Sequence, residues 1–213
     1  MPPCLVLSED IAPNALAQLL AHFRGAEWQI DRDLSGDAVT PPIGFGLAVS
    51  PNFLSFGYTI GVPDGAYTTR PAGTFCEGLW EEHVLELFIA ADEGSGYQEF
   101  NLSPSGAWWT QTFSGHRLRS APPIAPRPEV EIINFRDNVG CYSFLRVARS
   151  TLPIACDFSE RSRANVTSVV CDPHSKHGAL KRYCAYHSTG PGPADFHSAI
   201  GFQPLKHIRA GAN

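Results

Sequence analysis

The chain has few charged residues for its length and no concentrated run of basic ones. Charged residues make up 17% of its 213 positions, and the formal net charge is −5. A protein that binds nucleic acid normally presents a basic face. The sequence therefore predicts no nucleic-acid partner, and the mild acidic excess indicates only that the chain is soluble.

Long apolar runs and a secretory leader are missing as well. The chain holds no stretch of eighteen apolar residues, which a membrane-spanning helix would need. Behind Met1 stand two prolines and Cys4, where a leader would place a basic segment and then a long apolar one. We therefore expect no membrane span and a cytoplasmic location.

Several catalytic and nucleotide-binding motifs do not occur in this sequence. There is no G-x-G-x-x-G or Walker loop for a nucleotide, and no G-x-S-x-G turn for a nucleophilic serine. There is also no C-x-x-C pair, and with 43% hydrophobic residues the chain needs no disulfides to form a core. We predict that the six cysteines are reduced and buried as small hydrophobic side chains. They are Cys4, Cys76, Cys141, Cys156, Cys171 and Cys184.

The sequence contains only weak signals for a metal-binding site. Asp172, His174 and His177 lie close together in the sequence, and His187 follows. A zinc site needs three or four converging ligands, so a polar surface loop is the preferred interpretation. No metal site is predicted, although a structural calcium ion in the turn at residues 92–94 stays open.

Glycine and proline are plentiful, with 19 and 18 copies, which is typical of short strands joined by turns. Residues 8–23 carry the best helix signal, because Ser8 can act as a cap and apolar residues follow at helical spacing. Later segments alternate with a period of two, and a proline-rich stretch at 122–128 is expected to cross between sheets. The predicted strands are 53–62, 83–90, 97–103, 107–113, 130–135, 142–149, 166–171 and 182–187.

This pattern predicts an all-β chain that forms a single domain over residues 1–213. Eight or more short strands without alternating helices indicate an antiparallel β-sandwich of the jelly-roll or immunoglobulin-like type. The only helix expected is the short N-terminal one, at the edge of the sandwich.

The strand at 83–90 contains an unusual carboxylate. Its odd positions are almost wholly apolar and are expected to face the core. Glu86 interrupts the opposite face, between Val84 and Phe88. A buried carboxylate is unfavourable without a partner, so we expect hydrogen bonding from Asn101, from an arginine such as Arg146, or from a ligand hydroxyl.

Two tight turns would bring further polar residues onto the face of Glu86. If the turns are short, Glu86 falls opposite Asn101. Asn101 then falls opposite Trp109, and Glu99 opposite Gln111. Such a mixture of acceptors, amides and aromatic rings suits a sugar, although a solvated sheet face with ordinary cross-strand pairs gives the same pattern. The resulting face carries Tyr97, Glu86, Glu99, Asn101, Gln111 and Trp109.

Three motifs within residues 45–205 resemble a known family. The L-W-x-x-x-x-x-E-L-F stretch, the following Y-x-E-F-N-L-S-P-S-G and the late D-F-H are similar to DOMON-like domains allied to family-nine carbohydrate-binding modules. The resemblance implies a jelly-roll β-sandwich that holds a sugar between two aromatic rings and binds its hydroxyls with carboxylates and amides. It implies Trp80 as an aromatic and Glu86 as an acceptor, with Asn101 or Glu99 nearby.

The second aromatic and the haem of some family members match this chain less well. The late segment offers Phe196 and His197 where a sugar-binding member would use tryptophan. Some DOMON domains are cytochromes with a methionine axial ligand, but the only methionine here is Met1, so no haem is expected.

Two functions from different classes follow from these residues. The first is a non-catalytic binding domain for a small polar ligand, with a saccharide as the leading candidate. The second is an enzyme that acts on a sugar-like substrate through Glu86 and Glu99, and a structural interaction domain stays open as a third.

Trp80 is expected at the mouth of the site, because it stands at a loop end just before the Glu86 strand. The predicted ligand-binding residues are Trp80, Glu86, Glu99, Asn101, Trp109, Gln111 and His197.

Overall fold

Fourteen strands in the described part of the chain form two sheets that pack face to face, here called sheet I and sheet II. The computed structural model describes residues 1–15, 19–61, 70–94, 96–120, 129–136, 138, 140–154, 156–172 and 180–209. The strands are β1 (Pro3–Val6), β2 (Gln29–Arg32), β3 (Ala38–Val49), β4 (Phe53–Tyr58), β5 (Val84–Ala90), β6 (Tyr97–Leu102), β7 (Trp108–Gly115), β8 (Leu118–Arg119), β9 (Val130–Arg136), β10 (Cys141–Ala148), β11 (Arg163–Asp172), β12 (Leu180–Ala185), β13 (Gln203–Pro204) and β14 (Lys206–Arg209).

The strand order confirms the β-sandwich and adds one parallel segment. Sheet I runs β14-β1-β3-β4-β10-β9, with β2 beside β3, and sheet II runs β12-β11-β5-β6-β7-β8, with β13 beside β11. All pairs of sheet II are antiparallel, as predicted. In sheet I, however, β1 runs parallel to both β3 and β14, because the two ends of the chain meet side by side there.

The main core lies between the sheets and follows the predicted alternation. The odd positions of β5, among them Leu85 and Leu87, are fully buried against sheet I side chains such as Phe45 and Phe56. Burial of one such side chain stabilises the fold by about 1.5–3 kcal/mol. The even positions of β5 therefore face away from sheet I, and this second face of sheet II carries its own apolar cluster.

The N-terminal helix is only partly as predicted. Two 3₁₀ turns, Pro13–Ala15 and Leu20–Phe23, occupy the segment, and residues 16–18 between them lie outside the described residues. The expected first turn at residues 8–10 is not helical. Its carboxylate, Asp10, instead accepts hydrogen bonds from Ser50 Oγ at 2.6 Å and from Asn52 Nδ2 at 2.7 Å, which ties the segment to sheet I.

The six cysteines are free thiols, three of them buried and three half-buried. Burial raises the pKa of Cys4 and of Cys184 to about 12, so both behave as small hydrophobic side chains. None of the helices in the described ranges is both long and apolar enough to cross a membrane. The predicted crossing at 122–128 and the histidine pair His174 and His177 lie outside the described residues.

Candidate functional site

The register of the three central strands of sheet II is as predicted. Glu86 on β5 pairs with Asn101 on β6, and Asn101 pairs with Trp109 on β7. Two residues along β6, on the same face, Glu99 pairs with Gln111. The β6–β7 hairpin closes at Gly106, whose φ of 89° belongs to the left-handed region that favours glycine. These pairs place the predicted polar residues on the face of sheet II that points away from sheet I.

A cavity of about 350 Å³ opens on this face, which we call the sheet II cavity. Glu86, Glu99 and Phe88 belong to its floor, since all three lie on the central strands and are nearly fully buried. The other lining residues are Trp80, Trp109, Phe113, Arg117, Arg119, Val169, Lys181, Tyr183, Ala194, Phe196 and His197.

Aromatic rings form much of the cavity wall. Trp80 lies in a 3₁₀ turn, Leu79–Glu81, is half-buried, and packs edge-to-face on Trp109 with ring centroids 5.2 Å apart. Its place at the mouth is therefore as predicted. Tyr183 on β12 is 41% exposed, although it lines the same cavity, and its ring lies 6.0 Å from that of Phe196. Exposed aromatic planes of this kind can pack on the apolar face of a sugar ring.

Glu86 has a different hydrogen-bond partner from those predicted. It is 2% exposed, and its Oε2 accepts a hydrogen bond of 2.8 Å from the hydroxyl of Thr167, its cross-strand neighbour on β11. Asn101 donates elsewhere, and Arg146 lies on β10 in sheet I, where it pairs with Glu131. Burial raises the pKa of Glu86, and the hydroxyl of Thr167 only partly opposes this.

Glu99 lies diagonally across from Glu86, and one of its carboxyl oxygens is held by a hydrogen bond. Oε1 accepts a hydrogen bond of 2.9 Å from Asn101 Nδ2, and Oε2 lies 3.8 Å from His197 Nε2. Burial raises the pKa of Glu99, and the charge of Glu86 raises it further. The two carboxyl groups therefore hold protons more firmly than carboxyl groups in water do.

A chain of hydrogen bonds fixes the protonation of His197. The backbone N–H of Arg117 donates to the hydroxyl oxygen of Tyr97, and this hydroxyl lies 2.7 Å from His197 Nδ1. The Tyr97 proton has no other acceptor among the described residues, so it is donated to Nδ1. Burial and the charge of Arg117 lower the pKa of His197 to about 4, so the ring is neutral and carries its proton on Nε2. His197 thus presents an N–H donor beside Glu99, at the cavity.

Replacing Tyr97 by phenylalanine is expected to free His197 from this single tautomer. The ring of Tyr97 stacks on Phe113 with centroids 4.8 Å apart, and phenylalanine keeps that contact. Proton–nitrogen NMR correlation spectra should show Nε2 protonated in the wild type and a mixture of tautomers in the variant. Tyr142→Phe, whose ring stacks on Phe135 in sheet I, is the matched control and should leave the His197 signals unchanged. A wild-type ring protonated on Nδ1 would contradict the assignment.

Two predicted site residues lie on the correct face but do not line the cavity. Asn101 is fully buried and holds Glu99 in place. The amide of Gln111 donates to the carbonyl oxygens of Thr112 and Ser120, so it supports the edge of the sheet. Both amides therefore form hydrogen bonds with neighbouring residues of the sheet, while the other five predicted residues line the cavity.

Sequence reasoning missed the basic residues of the cavity. Arg117 donates to Asp195 at 3.0 Å, and Arg119 pairs with Glu77 and lies over the Trp109 ring. Arg117 lies in the turn between β7 and β8, and Arg119 ends β8, where the register of the pair shifts, so alternation along a strand did not point to them.

Cation-binding groups are sparse in the described parts of the molecule. There, no three side chains from histidine, cysteine, aspartate and glutamate come together in a way that would hold a metal ion. In the turn considered for calcium, Glu93 instead forms an ion pair of 2.6 Å with Arg163.

Comparison with known proteins identifies the fold. No family model and no curated protein matches the chain. A solved structure from Bacteroides uniformis, provisionally described as a carbohydrate-binding protein, is similar with a TM-score of 0.65 and 15% identity, over 97% of this chain and 99% of that one. A family 9 carbohydrate-binding module from Caldicellulosiruptor kristjanssonii, solved with glucose, is similar with a TM-score of 0.54 and 12% identity, over 99% of this chain and 98% of that one. The chain therefore has a β-sandwich fold like that of carbohydrate-binding modules.

Proposed function

We propose that this chain is a non-catalytic domain that binds a saccharide in the sheet II cavity. The observation that carries the proposal is the combination of polar groups at the floor with aromatic rings at the rim. Glu86 supplies an acceptor and His197 an N–H donor, while Trp80 and Tyr183 supply exposed ring surface. A sugar has hydroxyls for the first pair and an apolar C–H face for the second.

The two solved structures support this proposal through their fold and their descriptions. One is described as carbohydrate-binding and the other was solved with glucose. Within the proposal, the chain is a distant relative of DOMON-like domains, as its L-W-x-x-x-x-x-E-L-F and Y-x-E-F-N motifs suggest. Phe196 and Tyr183 would then provide the second aromatic surface, where the resemblance implied tryptophan.

Calorimetry of the full chain against a panel of neutral and acidic monosaccharides and disaccharides tests the proposal. We expect saturable binding of at least one sugar with one site per chain. If no sugar on the panel binds to the folded protein, the proposal is wrong.

Trp80→Ala is expected to weaken binding of that sugar by roughly 1–2 kcal/mol, because it removes the ring surface at the mouth of the cavity. Ile200→Ala, which also removes an exposed apolar side chain, serves as the control in the same titration. Equal affinities of the Trp80 variant and the wild type would show that this ring does not touch the ligand.

A glycosidase is the second candidate, and the proximity of Glu86 and Glu99 on neighbouring strands favours it. Diagonal neighbours on antiparallel strands lie about 7–8 Å apart, which is compatible with the carboxyl spacing of glycosidases. Against it, Asn101 and His197 flank both oxygens of Glu99. Release of nitrophenol from nitrophenyl glycosides by the wild type, lost in both Glu86→Gln and Glu99→Gln, would establish the enzyme. Binding without release would support the binding domain.

A further inference from the structure

We infer that the preferred ligand of the sheet II cavity is an anionic sugar, whose negative group is bound by Lys181. This inference rests on the proposed saccharide function and adds to it the chemical class of the sugar. Its basis is the charge of the cavity wall and the position of one lysine within that wall.

The cavity wall is richer in cations than the chain as a whole. The chain carries 21 acidic and 16 basic residues, yet among the described residues the lining has Arg117, Arg119 and Lys181 against Glu86 and Glu99. A cleft lined by one sign of charge concentrates ligands of the opposite sign.

The two arginines are largely neutralised by carboxylates that stand outside the cavity lining. Asp195 pairs with Arg117, and Glu77 pairs with Arg119. All four side chains are between 32% and 57% exposed, so these pairs lie at the rim, in contact with solvent. The arginines therefore contribute donors and a weak positive field, but they do not supply an uncompensated charge.

Lys181 differs from the arginines because none of the described carboxylates pairs with it. Its ammonium lies 3.5 Å from the backbone oxygen of Trp80, a neutral and marginal contact. Lys181 stands on β12 two residues before Tyr183, so both side chains emerge on the same face. The ammonium group of Lys181 therefore lies on the part of the cavity wall that carries the exposed aromatic rings. A sugar ring packed on that wall would bring a substituent close to the ammonium.

The carboxyl groups on the floor are compatible with such a ligand. Burial raises the pKa of Glu86 and of Glu99, so both retain protons into the neutral range and repel an anion less than ordinary carboxylates would. As protonated acids they also donate hydrogen bonds, which suits a ligand rich in acceptor oxygens.

Calorimetry at pH 6 with glucose, glucuronate and glucose 6-phosphate tests the inference, using the full chain and two variants. Wild-type protein should bind glucuronate or glucose 6-phosphate at least about tenfold more tightly than glucose, the effect of one charge-assisted hydrogen bond. Lys181→Gln should bring the anionic and neutral sugars close to equal affinity, and Lys181→Arg should keep the preference. Lys206→Gln removes the same charge from an exposed position on β14 in sheet I and should change nothing.

The three sugars separate the possible outcomes. A preference for glucuronate identifies a carboxylate as the recognised group, and a preference for glucose 6-phosphate identifies a phosphate. Glucose bound as tightly as either anion, or an anion preference that survives in Lys181→Gln, would overturn the inference and leave the saccharide proposal standing. If none of the three sugars nor any other sugar binds, the proposed function itself fails.

Discussion

At pH 8, above the pKa of Glu86, Glu86→Gln is expected to weaken saccharide binding by roughly ten- to a hundredfold, the effect of losing one charge-assisted hydrogen bond. Glu86 lies on the cavity floor and is 2% exposed, and its Oε2 is taken by the hydroxyl of Thr167. At that pH we therefore expect the other carboxyl oxygen to accept a hydrogen bond from a ligand hydroxyl. Glutamine keeps the size of the side chain and the bond from Thr167, but it replaces one of the two acceptor oxygens by a donor.

The same variant should be more stable than the wild type at neutral pH. Burial raises the pKa of Glu86, which means that the folded chain disfavours its charged form, and glutamine removes that cost. A substitution that stabilises the fold and weakens binding identifies a residue kept for function.

Calorimetry with a sugar that the wild type binds, together with urea unfolding, measures both effects. Glu131→Gln is the matched control, since its carboxylate is half exposed on β9 and pairs with Arg146 in the other sheet. It should leave the affinity for the sugar unchanged, and it should destabilise the fold where Glu86→Gln stabilises it, because it removes the charge that pairs with the buried Arg146. A folded Glu86→Gln protein with wild-type affinity would show that Glu86 is not the acceptor.

The local part of the site was predictable because it depends on short-range geometry. The strands β5, β6 and β7 follow each other through short connections, so a period of two fixes which side chains share a face. This is why the pairing of Glu86 with Asn101, and of Asn101 with Trp109, follows from the sequence alone.

The long-range part of the site was not predictable in the same way. Thr167, the hydrogen-bond partner of Glu86, is 81 residues away in the sequence. No local sequence pattern indicates that β11 is the strand that pairs with β5. The basic and aromatic wall on β12 depends on the same choice, because β12 reaches the cavity only through β11. Alternation along β12 puts Lys181 and Tyr183 on one face, but the predicted strand began at residue 182, and nothing local showed which face would adjoin Trp80.

Sheet I shows a second limit of pattern reasoning. The strand β3 contains two adjacent prolines, Pro41 and Pro42, which argue against a strand in a sequence. The pairing of β3 with β4 covers Phe45 to Val49, beyond the prolines, so the ladder is not interrupted by a missing N–H. The strands β1 and β14 are short, and each pairs with a segment from the other end of the chain. Tertiary contacts, and not local propensity, define them.

Stability should also depend on pH through the two floor carboxyls. Burial raises the pKa of Glu86 to about 7 and that of Glu99 to about 8, from an ordinary value of 4.5. Between pH 4.5 and 8 the folded chain therefore binds more protons at these groups than the unfolded chain does. The stability they contribute is fully present below pH 4.5 and is lost as the pH rises through 7 and 8.

Three histidines, one buried and two half-buried, contribute in the opposite direction, and their effect must be separated from that of the carboxyl groups. Burial lowers the pKa of His83, His187 and His197 to about 4, so their contribution is present above pH 6.5 and is lost as the pH falls towards 4. The wild-type profile is the sum of both trends. The double variant Glu86→Gln/Glu99→Gln removes only the carboxyl part, because glutamine does not titrate.

We therefore expect the stability difference between the double variant and the wild type to be small near pH 5 and to grow up to about pH 8. A tenfold change in proton affinity corresponds to about 1.4 kcal/mol, so the difference should reach several kcal/mol at the upper end. Urea unfolding at intervals between pH 5 and pH 9 measures it, with Glu131→Gln as the variant that should show no such trend. A difference that stays constant across this range would mean that the two carboxyl groups are ionised in the folded protein. In that case the floor of the cavity would carry two negative charges, and the preference for an anionic sugar would lose its physical basis.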